Sequence, residues 1–571
     1  MAAVIADQLS GEFLRDFWNK LGKLEQLAVR EAAYDPLGEV DWVRFRAKYG
    51  SIPKRSKKYG APPSHLEFFL YSCGHSTAIS LVPDDLKARL LKFVEQPPEV
   101  KLAIEPELPE YVEQRESRYV PPGQEPKFLQ VPIVVRVMDQ VALKDLTTML
   151  KLLENGKISV SDKTRRPSLA TIKTISNNLD GGDFFEPDQE KYYIGKGVGA
   201  IRAFAWPMLL QAGKLVQLNG SKLAVTKAGR DTFKAPLEDT IRNLWNKWIN
   251  STIIDEFSRI DVISGQTRGK GRRAMTAASG RRPVVSEALG QCPVDQWVRF
   301  DEFSRFMQAD GYGFEITRNP WLLYISDAEY GSLGYSGHDE WHILQGRYIR
   351  CLLFEYAATL GLIDVAYVHP DNARDDFHGF WAAEEMRFLS RYDGLEYFRL
   401  NPLGAYCLGL ADKYESKLSL DTTPVQVFSD LRICAEKPLS TQESLLLETW
   451  ANVEAEGVWR LDRTKSVIAV ENGQGIGDLR LFLEDRDQQP LPEKVEGFLR
   501  SVERNGQALG EQGRALLVEC ATEEIAAMLS SDKKISKLCL LAGKKHLAVK
   551  ESSEANFRKA IRDLGFGMPR K

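Results

Sequence analysis

The feature that most constrains the fold of this chain is a short β-hairpin that directly follows an apolar helix. The alternating stretch KLVQLNGSKLAVTKAG covers 214–229 and turns at Asn219-Gly220. Asn-Gly is the strongest short hairpin signal, because both residues tolerate the positive φ of a type I′ turn. The preceding stretch, AIRAFAWPMLLQAG over 200–213, has the length and apolar content of a helix. Helices followed by a tight hairpin are typical of a winged helix-turn-helix, in which the hairpin is the wing.

Two more helices precede this hairpin. The segment 141–157 predicts a helix that ends at Asn155-Gly156, and 168–179 predicts a second helix with Ser168 as its N-cap. Between them, ISVSDKTRRPS predicts a short strand and a turn. The segment therefore has the element content of one winged-helix unit.

A similar order of predicted elements recurs later in the chain. A helix over 350–361 runs into LIDVAY, and YFRLNPLG follows at 397–404, with a long insertion in place of the tight turn. Helix pairs around 10–90 suggest a third, weaker copy. Repetition of one supersecondary unit indicates an array. We therefore expect an α+β fold, mainly α, with tandem winged-helix units followed by a small α+β C-terminal module.

Composition shifts divide the chain into six segments. The stretch 96–127 is rich in Pro and Glu, which is typical of a linker or an extended crossover. The stretch 264–283 combines Gly, Ser and Ala with six cations. The expected segments are a helical or winged-helix-like domain (1–95), the linker (96–127), a winged-helix domain (128–263), a flexible basic loop (264–283), a second winged-helix-like domain with an insertion (284–424) and an α+β module (425–571).

Charge and cysteine content narrow the class of protein. Lys and Arg number 76 against 79 Asp and Glu, so an anionic partner must be met by local patches rather than by a global basic field. Seven scattered cysteines without a CxxC pair argue against a disulfide framework and against a cysteine zinc site. The chain shows neither a signal peptide nor an apolar run of about 20 residues. We expect a cytoplasmic protein without a membrane partner.

The candidate DNA-binding residues are clustered cations. Lys163, Arg165 and Arg166 lead into the predicted second helix, which in a helix-turn-helix enters the major groove while the preceding turn contacts phosphates. The stretch 264–283 has no acidic residue. The candidates form three groups: Lys54, Arg55, Lys57 and Lys58; Lys163, Arg165, Arg166 and Lys173; and Arg268, Lys270, Arg272, Arg273, Arg281 and Arg282. Five tryptophans at helical spacing with Leu and Phe are expected in the core: Trp18, Trp206, Trp245, Trp248 and Trp321.

The segment ALKDLTTMLKLLENGKISVSDKTRRPSLATIKTISNNL resembles the winged-helix portion of bacterial helicase-associated proteins, which are grouped with the XPB-type helicase N-terminal region. The order of LPEKVEGFLRSVERNG, RALLVECATEEIAAMLSSDKKISKLC and HLAVKESSEANFRKAIRDLGF is similar to the C-terminal module of that family. The resemblance is clearest over 128–250 and 425–567 and rests on element order and apolar pattern. It implies DNA-handling partners and no defined reaction.

Enzyme signatures are weak throughout the sequence. A helicase needs a GxxxxGK[ST] loop to hold nucleotide phosphates, and the chain has none; GKGVGA (195–200) and GQGIGD (473–478) lack the closing Lys-Ser/Thr pair. His338 and His342 have the spacing of a zinc pair on a helix, but Asp339 stands where the general-base Glu belongs. Pro370-Asp371 and Glu415-Ser416-Lys417 supply the letters of a metal-dependent nuclease motif. We expect no catalytic residue, metal or cofactor.

The sequence therefore predicts a non-catalytic DNA-binding accessory protein. Its expected partners are DNA, as a duplex contacted through backbone and shape, and a separately encoded helicase, nuclease or other DNA-processing protein. Anti-phage defence or DNA repair is the setting that the family resemblance implies. Two alternatives stay open at this point, a winged-helix transcription regulator and a cryptic metal-dependent nuclease.

Overall fold

A computed structural model describes most of the chain, and the chain divides into two units. The first unit is Met1–Thr422 with Leu439–Leu446, and the second is Thr423–Pro438 with Leu447–Lys571. The described residues are 11–54, 64–72, 79–116, 123, 125, 127–185, 198–232, 235–260, 262–335, 341–381, 383, 386–415, 423–487, 489–506, 508–510 and 513–569.

The first unit alternates helices with small antiparallel sheets. Up to residue 136 its elements are α1 (Gly11–Asn19), α2 (Lys23–Tyr34), β1 (Glu39–Asp41), α3 (Trp42–Tyr49), β2 (Tyr71–Ser72), β3 (Ile79–Leu81), α4 (Asp84–Leu90), β4 (Tyr111–Arg115), β5 (Phe128–Pro132) and β6 (Val134–Arg136). To residue 264 they are α5 (Asp139–Glu154), α6 (Leu169–Ser176), α7 (Arg202–Ala212), β7 (Val216–Asn219), β8 (Lys222–Val225), α8 (Lys227–Asp231), α9 (Leu237–Ile249) and β9 (Ile263–Ser264).

The rest of the first unit contains longer connections between its elements. They are α10 (Gly269–Ala274), α11 (Ala278–Leu289), β10 (Trp297–Arg299), α12 (Phe300–Ala309), β11 (Tyr324–Ile325), α13 (Arg347–Cys351), β12 (Ile363–Tyr367), β13 (Leu395–Leu400) and α14 (Pro402–Cys407). Two π-helical segments, His342–Gly346 and Leu352–Ala357, flank α13 and make one long helix with it.

The remaining elements follow residue 423. They are β14 (Val425–Val427), β15 (Arg432–Ala435), α15 (Thr441–Trp450), β16 (Ala451–Ala455), β17 (Val458–Leu461), α16 (Arg463–Glu471), α17 (Ile476–Arg486), α18 (Glu493–Gly506), β18 (Ala515–Glu519), α19 (Glu523–Ser531), β19 (Cys539–Leu541), β20 (His546–Lys550) and α20 (Glu554–Asp563). The second unit holds a four-stranded sheet in the order β14-β15-β17-β16 and a three-stranded sheet in the order β18-β20-β19. The α+β class expected from the sequence is confirmed.

Three segments of the first unit share one strand order. In the N-terminal segment the order is β1-β3-β2, and in the last segment β13 pairs with both β10 and β12. In the middle segment, Ser159 bridges to Lys222 of β8, which also pairs with β7. In each case the first short strand pairs with the last strand of the following hairpin, so three segments repeat one local topology.

Local signals explain the elements of the middle segment. The Ser168 side chain accepts a hydrogen bond from the Thr171 amide at 3.2 Å, which caps α6. Gly220 has φ +63° at the tip of the β7–β8 hairpin, as the Asn-Gly signal predicts. A Cβ on Gly229 would lie 2.2 Å from the Leu215 carbonyl oxygen, so glycine is required where α8 packs under the hairpin.

One hydrophobic core takes its buried residues from Met138 to Cys407 and also includes Leu445. It draws on both predicted winged-helix domains, so the segments 128–263 and 284–424 pack as one body rather than around separate cores. Four of the five expected core tryptophans are buried, namely Trp18, Trp206, Trp245 and Trp248. The prediction that Trp321 lies in the core is wrong, because 54% of its surface is exposed.

Part of the predicted 96–127 linker is a strand. β4 pairs along its whole length with β5, from Tyr111 opposite Pro132 to Arg115 opposite Phe128. Glu105 also bridges to Trp297 of β10. The description of this segment as a linker is therefore wrong for these residues: the Pro and Glu content hid the strand-forming run YVEQR.

The core of the first unit contains many arginine–carboxylate pairs. Arg259 donates to both carboxylate oxygens of Glu355 at 2.9–3.1 Å, and Tyr392 donates to the same carboxylate. Arg202 pairs with Asp145 with both side chains fully buried. Isolated buried charges are prohibitively costly, so each of these ions depends on its partner for a place in the core.

A further pair of this kind, Arg347 with Asp376, makes the free energy of unfolding sensitive to acid. Burial alone would raise the pKa of Asp376, but the charge and hydrogen bonds of Arg347 at 2.5 Å outweigh it and lower the pKa from 3.8 to about 2. A depressed carboxyl pKa contributes stability that is present above the unfolded value and lost as the pH falls through the folded one. We expect roughly 2 kcal/mol of unfolding free energy to disappear between about pH 4 and pH 2. Asp376→Asn should flatten this part of the curve of urea-unfolding free energy against pH, whereas Asp85→Asn, at an exposed position, should not.

Candidate nucleic-acid interface

The turn 161–166 presents three cations of the second predicted group, Lys163, Arg165 and Arg166. It is closed by hydrogen bonds between Ser161 and Arg166 and between Arg165 and Ser161, each 2.9 Å long. Arg165 has φ +61°, a conformation uncommon for a residue with a side chain, and its carbonyl accepts from Gln211 Nε2 at 3.0 Å. Lys163 and Arg165 are exposed. The backbone therefore holds two solvated cations at a fixed turn.

Arg166 is held more tightly than its neighbours. Its Nη2 donates to Ser258 Oγ at 2.7 Å, and Ser258 Oγ donates to the Asp255 carbonyl at 2.6 Å. The guanidinium is half-buried and pairs with no carboxylate in the part of the chain that the structure describes. Arg166 therefore has a fixed direction and an unneutralised charge.

A cleft of about 520 Å³ joins Arg166 to the third group of predicted cations. We call it the basic cleft. None of its lining residues is acidic: Arg166, Ser258, Ile263, Ser264, Gly265, Gln266, Thr267, Arg268, Lys270, Gly271, Leu322 and Tyr324. The structure thus brings together two groups of cations that lie about a hundred positions apart in the sequence.

Helix α10 carries the exposed cations beside the cleft. Arg268, Lys270, Arg272 and Arg273 are exposed, and none of them forms an ion pair among the described residues. Gly271 is buried where α10 meets the turn before β11, and a Cβ there would lie 2.2 Å from the Gly265 carbonyl oxygen. The glycines that made this segment look flexible allow it to pack closely.

The prediction of a flexible loop over 264–283 is therefore wrong. The segment forms the end of β9, all of α10 and the start of α11. Arg281 and Arg282 on α11 are buried, Arg281 paired with Asp255 at 2.5 Å and Arg282 with Glu256. Their partners lie 26 positions upstream in the sequence. These two arginines hold the core together and are not available to contact a phosphate.

Lys173 lies apart from the basic cleft, on α6. It is exposed, as is Leu169 one turn earlier, so one face of α6 is open. By contrast, Arg202–Leu210 of α7 are all buried, and so are all residues of Arg347–Ala357. The helices that precede the two hairpins of the central core therefore cannot enter a DNA groove.

The first group of predicted cations lies largely outside the described residues. Lys54 is exposed, directly after the buried Pro53. Arg55, Lys57 and Lys58 fall in 55–63, which the structure does not describe. Arg318 is an additional cation that sequence reasoning missed: it is exposed, and its amide donates to the Ala274 carbonyl at the end of α10 at 2.9 Å. A lone arginine in TRNPW gives no sequence signal for this placement.

Other candidate chemistry finds little geometric support in the described residues. They contain no group of three or more His, Cys, Asp or Glu side chains placed to hold a metal ion. His338 lies outside them, and Asp371 pairs with Arg387 at 3.1 Å. In the stretch 473–478, residues 473–475 connect α16 to α17, with Gly475 at the N-cap position, and Ile476 begins α17. None of the described helices is long and apolar enough to cross a bilayer.

Comparisons with known proteins do not place the chain in a family. The sequence matches no protein-family model, and a search of curated proteins returns no match either. The resemblance to helicase-associated proteins therefore stays a hypothesis, and the functional argument depends on the interface itself.

Proposed function

We propose that this protein binds DNA through backbone contacts made by the turn 161–166 and helix α10. The observation that carries the proposal is the basic cleft, where Arg166, Arg268 and Lys270 meet without an acidic residue. Phosphates are the partners that unneutralised surface cations favour, and such contacts give affinity without reading sequence. The net charge of −3 confines this attraction to the local surface.

The element order supports an interpretation of the three repeated segments as winged-helix units. In such units the helix before the hairpin commonly reads the major groove. Here the corresponding helices of the central core are buried. We therefore propose that the array is a scaffold that recognises backbone and shape, and that it acts as an accessory subunit for a separately encoded ATPase or nuclease.

Single substitutions at the turn and on α6 test this mode of binding. Arg165→Ala and Arg166→Ala should each weaken binding to unrelated duplexes by the same factor, because phosphate contacts are common to all sequences. Lys173→Ala, on the open face of α6, should likewise show no preference among sequences. Each lost contact should reduce the slope of log affinity against log salt by about 0.9. Fluorescence anisotropy on several duplexes at a series of salt concentrations measures both quantities.

The same substitutions distinguish the alternatives. A binding-site selection that returns a sharp motif, lost in Lys173→Ala, would favour a transcription regulator, since one good base contact is worth about 1–3 kcal/mol. Unchanged DNA affinity in all three variants would make this surface a protein-docking site and contradict the proposal. Arg281→Ala is unsuitable as a test, because its effect on binding would follow from its buried place in the fold.

A further inference from the structure

Two exposed aromatic side chains are in contact, Trp321 on the turn next to α10 and Tyr335 on a second turn that packs against the first. Trp321 and Tyr335 are 54% and 65% exposed, and their ring centroids lie 4.8 Å apart in an edge-to-face arrangement. Aromatic rings of this size usually contribute their area to a core or an interface. We call Trp321 and Tyr335 the aromatic pair.

The surrounding backbone holds the aromatic pair in place. The Asn319 side chain accepts from the Trp321 amide at 3.2 Å, and Ser332 Oγ donates to the Trp321 carbonyl at 3.1 Å. A Cβ on Gly334 would lie 2.2 Å from the indole, so the ring rests directly on the Gly334 backbone. Leu323 and Leu333, beneath the turn, are fully buried. The rings are therefore presented in one orientation before any partner binds.

The aromatic pair adjoins the basic cleft. Leu322, the residue after Trp321, lines the cleft with Arg268 and Lys270. The backbone of Leu322 is also the close neighbour of Gly271 on α10, because a Cβ there would lie 3.1 Å from the Leu322 carbonyl oxygen. Arg318 adds a further exposed cation at the end of α10. Cations that pair with no carboxylate among the described residues thus lie next to the turn that carries Trp321.

We infer that the aromatic pair and the cations of α10 bind single-stranded nucleic acid, with bases stacked on Trp321 and Tyr335 and phosphates at Arg268, Lys270 and Arg318. Open aromatic faces beside a positively charged groove are the combination that binds single strands without sequence preference. Protein interfaces deplete charge at their core, and Lys in particular, whereas here the residue after Trp321 lines a cleft with Arg268 and Lys270. The inference rests on the proposed function and refines its ligand to a duplex with a single-stranded extension.

Paired DNA substrates test this inference. The wild-type chain should bind a duplex with an oligothymidine tail at least fivefold more tightly than the same duplex with blunt ends, because stacking is worth about 1–3 kcal/mol per base. Trp321→Ala should remove most of this preference and leave blunt-duplex affinity unchanged. Trp321→Phe should retain part of it. A tail of abasic sugar-phosphate units should give the wild-type chain little gain, because it offers phosphates without bases.

Tyr330→Ala is the matched control. Tyr330 is 62% exposed and also contacts a tryptophan, Trp381, but its turn carries Asp327 and Glu329, which repel phosphate. This variant should keep the tail preference. An equal loss on blunt and tailed duplexes in Trp321→Ala, or a wild-type chain with no tail preference, would overturn the inference. If Trp321→Ala fails to fold, the affinity of the wild-type chain for the duplex with the abasic tail tests the inference instead.

The two proposals fail in different ways. A wild-type chain that binds free oligothymidine but not a blunt duplex would refute the proposed duplex contacts and would still support the stacking site. A wild-type chain that binds a blunt duplex without any preference for a tail would refute the stacking site and would still support the duplex contacts. An exposed aromatic pair that binds neither DNA form is a protein interface, which would overturn both.

Discussion

Replacing Arg268, Lys270, Arg272 and Arg273 together with alanine is expected to remove most of the affinity of this chain for duplex DNA. All four side chains are exposed on or beside α10, and none is neutralised by a carboxylate among the described residues. If each contacts a phosphate, the slope of log affinity against log salt should fall by about 3 to 4. Anisotropy titrations of one duplex over a range of salt concentrations give this slope directly.

A charge-matched control is available in the second unit. Lys533, Lys534, Lys544 and Lys545 are exposed as well, so their replacement with alanine changes the net charge by the same amount. This second variant should bind duplex with nearly the wild-type slope. Equal slopes for both quadruple variants and the wild type would show that α10 takes no part in binding.

The second large effect is expected in folding. Arg282→Met should lower the free energy of unfolding by about 3–5 kcal/mol, because it leaves Glu256 charged and buried without a partner. Arg282 also donates to the carbonyls of Trp248 and Ile254, each at 2.7 Å, and these acceptors lose their donor too. Urea denaturation followed by circular dichroism measures the loss.

Two further variants test whether the lost Arg282–Glu256 pair causes the loss of stability. Arg282→Met combined with Glu256→Leu should recover a large part of the stability, since a buried pair replaced by apolar groups is often tolerated. Arg272→Met, on the exposed surface of α10, should change stability by less than about 0.5 kcal/mol. A stable Arg282→Met protein with reduced DNA binding would restore the original interpretation of this residue as a phosphate contact.

Local signals in the sequence were sufficient for the elements that depend on neighbouring residues. Ser168 caps α6 as its position predicts, and Asn219-Gly220 turns the β7–β8 hairpin. In both cases the determinant is a backbone requirement met by a residue within a few positions. The segments 200–213 and 350–361 were likewise recognisable from apolar content alone.

The remaining features depend on contacts that are distant in the sequence. The run 264–283 has the composition of a flexible loop, yet Arg281 and Arg282 find carboxylates on the Asp255-Glu256 turn, and this pairing orders α11. Trp321 has the residue type of a core position, but Asn319 and Pro320 begin a tight turn that directs it outward. The basic cleft combines Arg166 with Lys270, which no local pattern relates.

Lysine labelling with and without duplex DNA tests the central claim most directly. Acetylation followed by mass spectrometry reports the accessibility of each exposed lysine in one experiment. Backbone binding at the turn 161–166 and α10 predicts that duplex protects Lys163 and Lys270, while Lys23 and Lys92, exposed in the N-terminal segment, stay equally reactive. Bound duplex that leaves Lys163 and Lys270 fully reactive, or a chain that binds no duplex at low salt, would contradict the account.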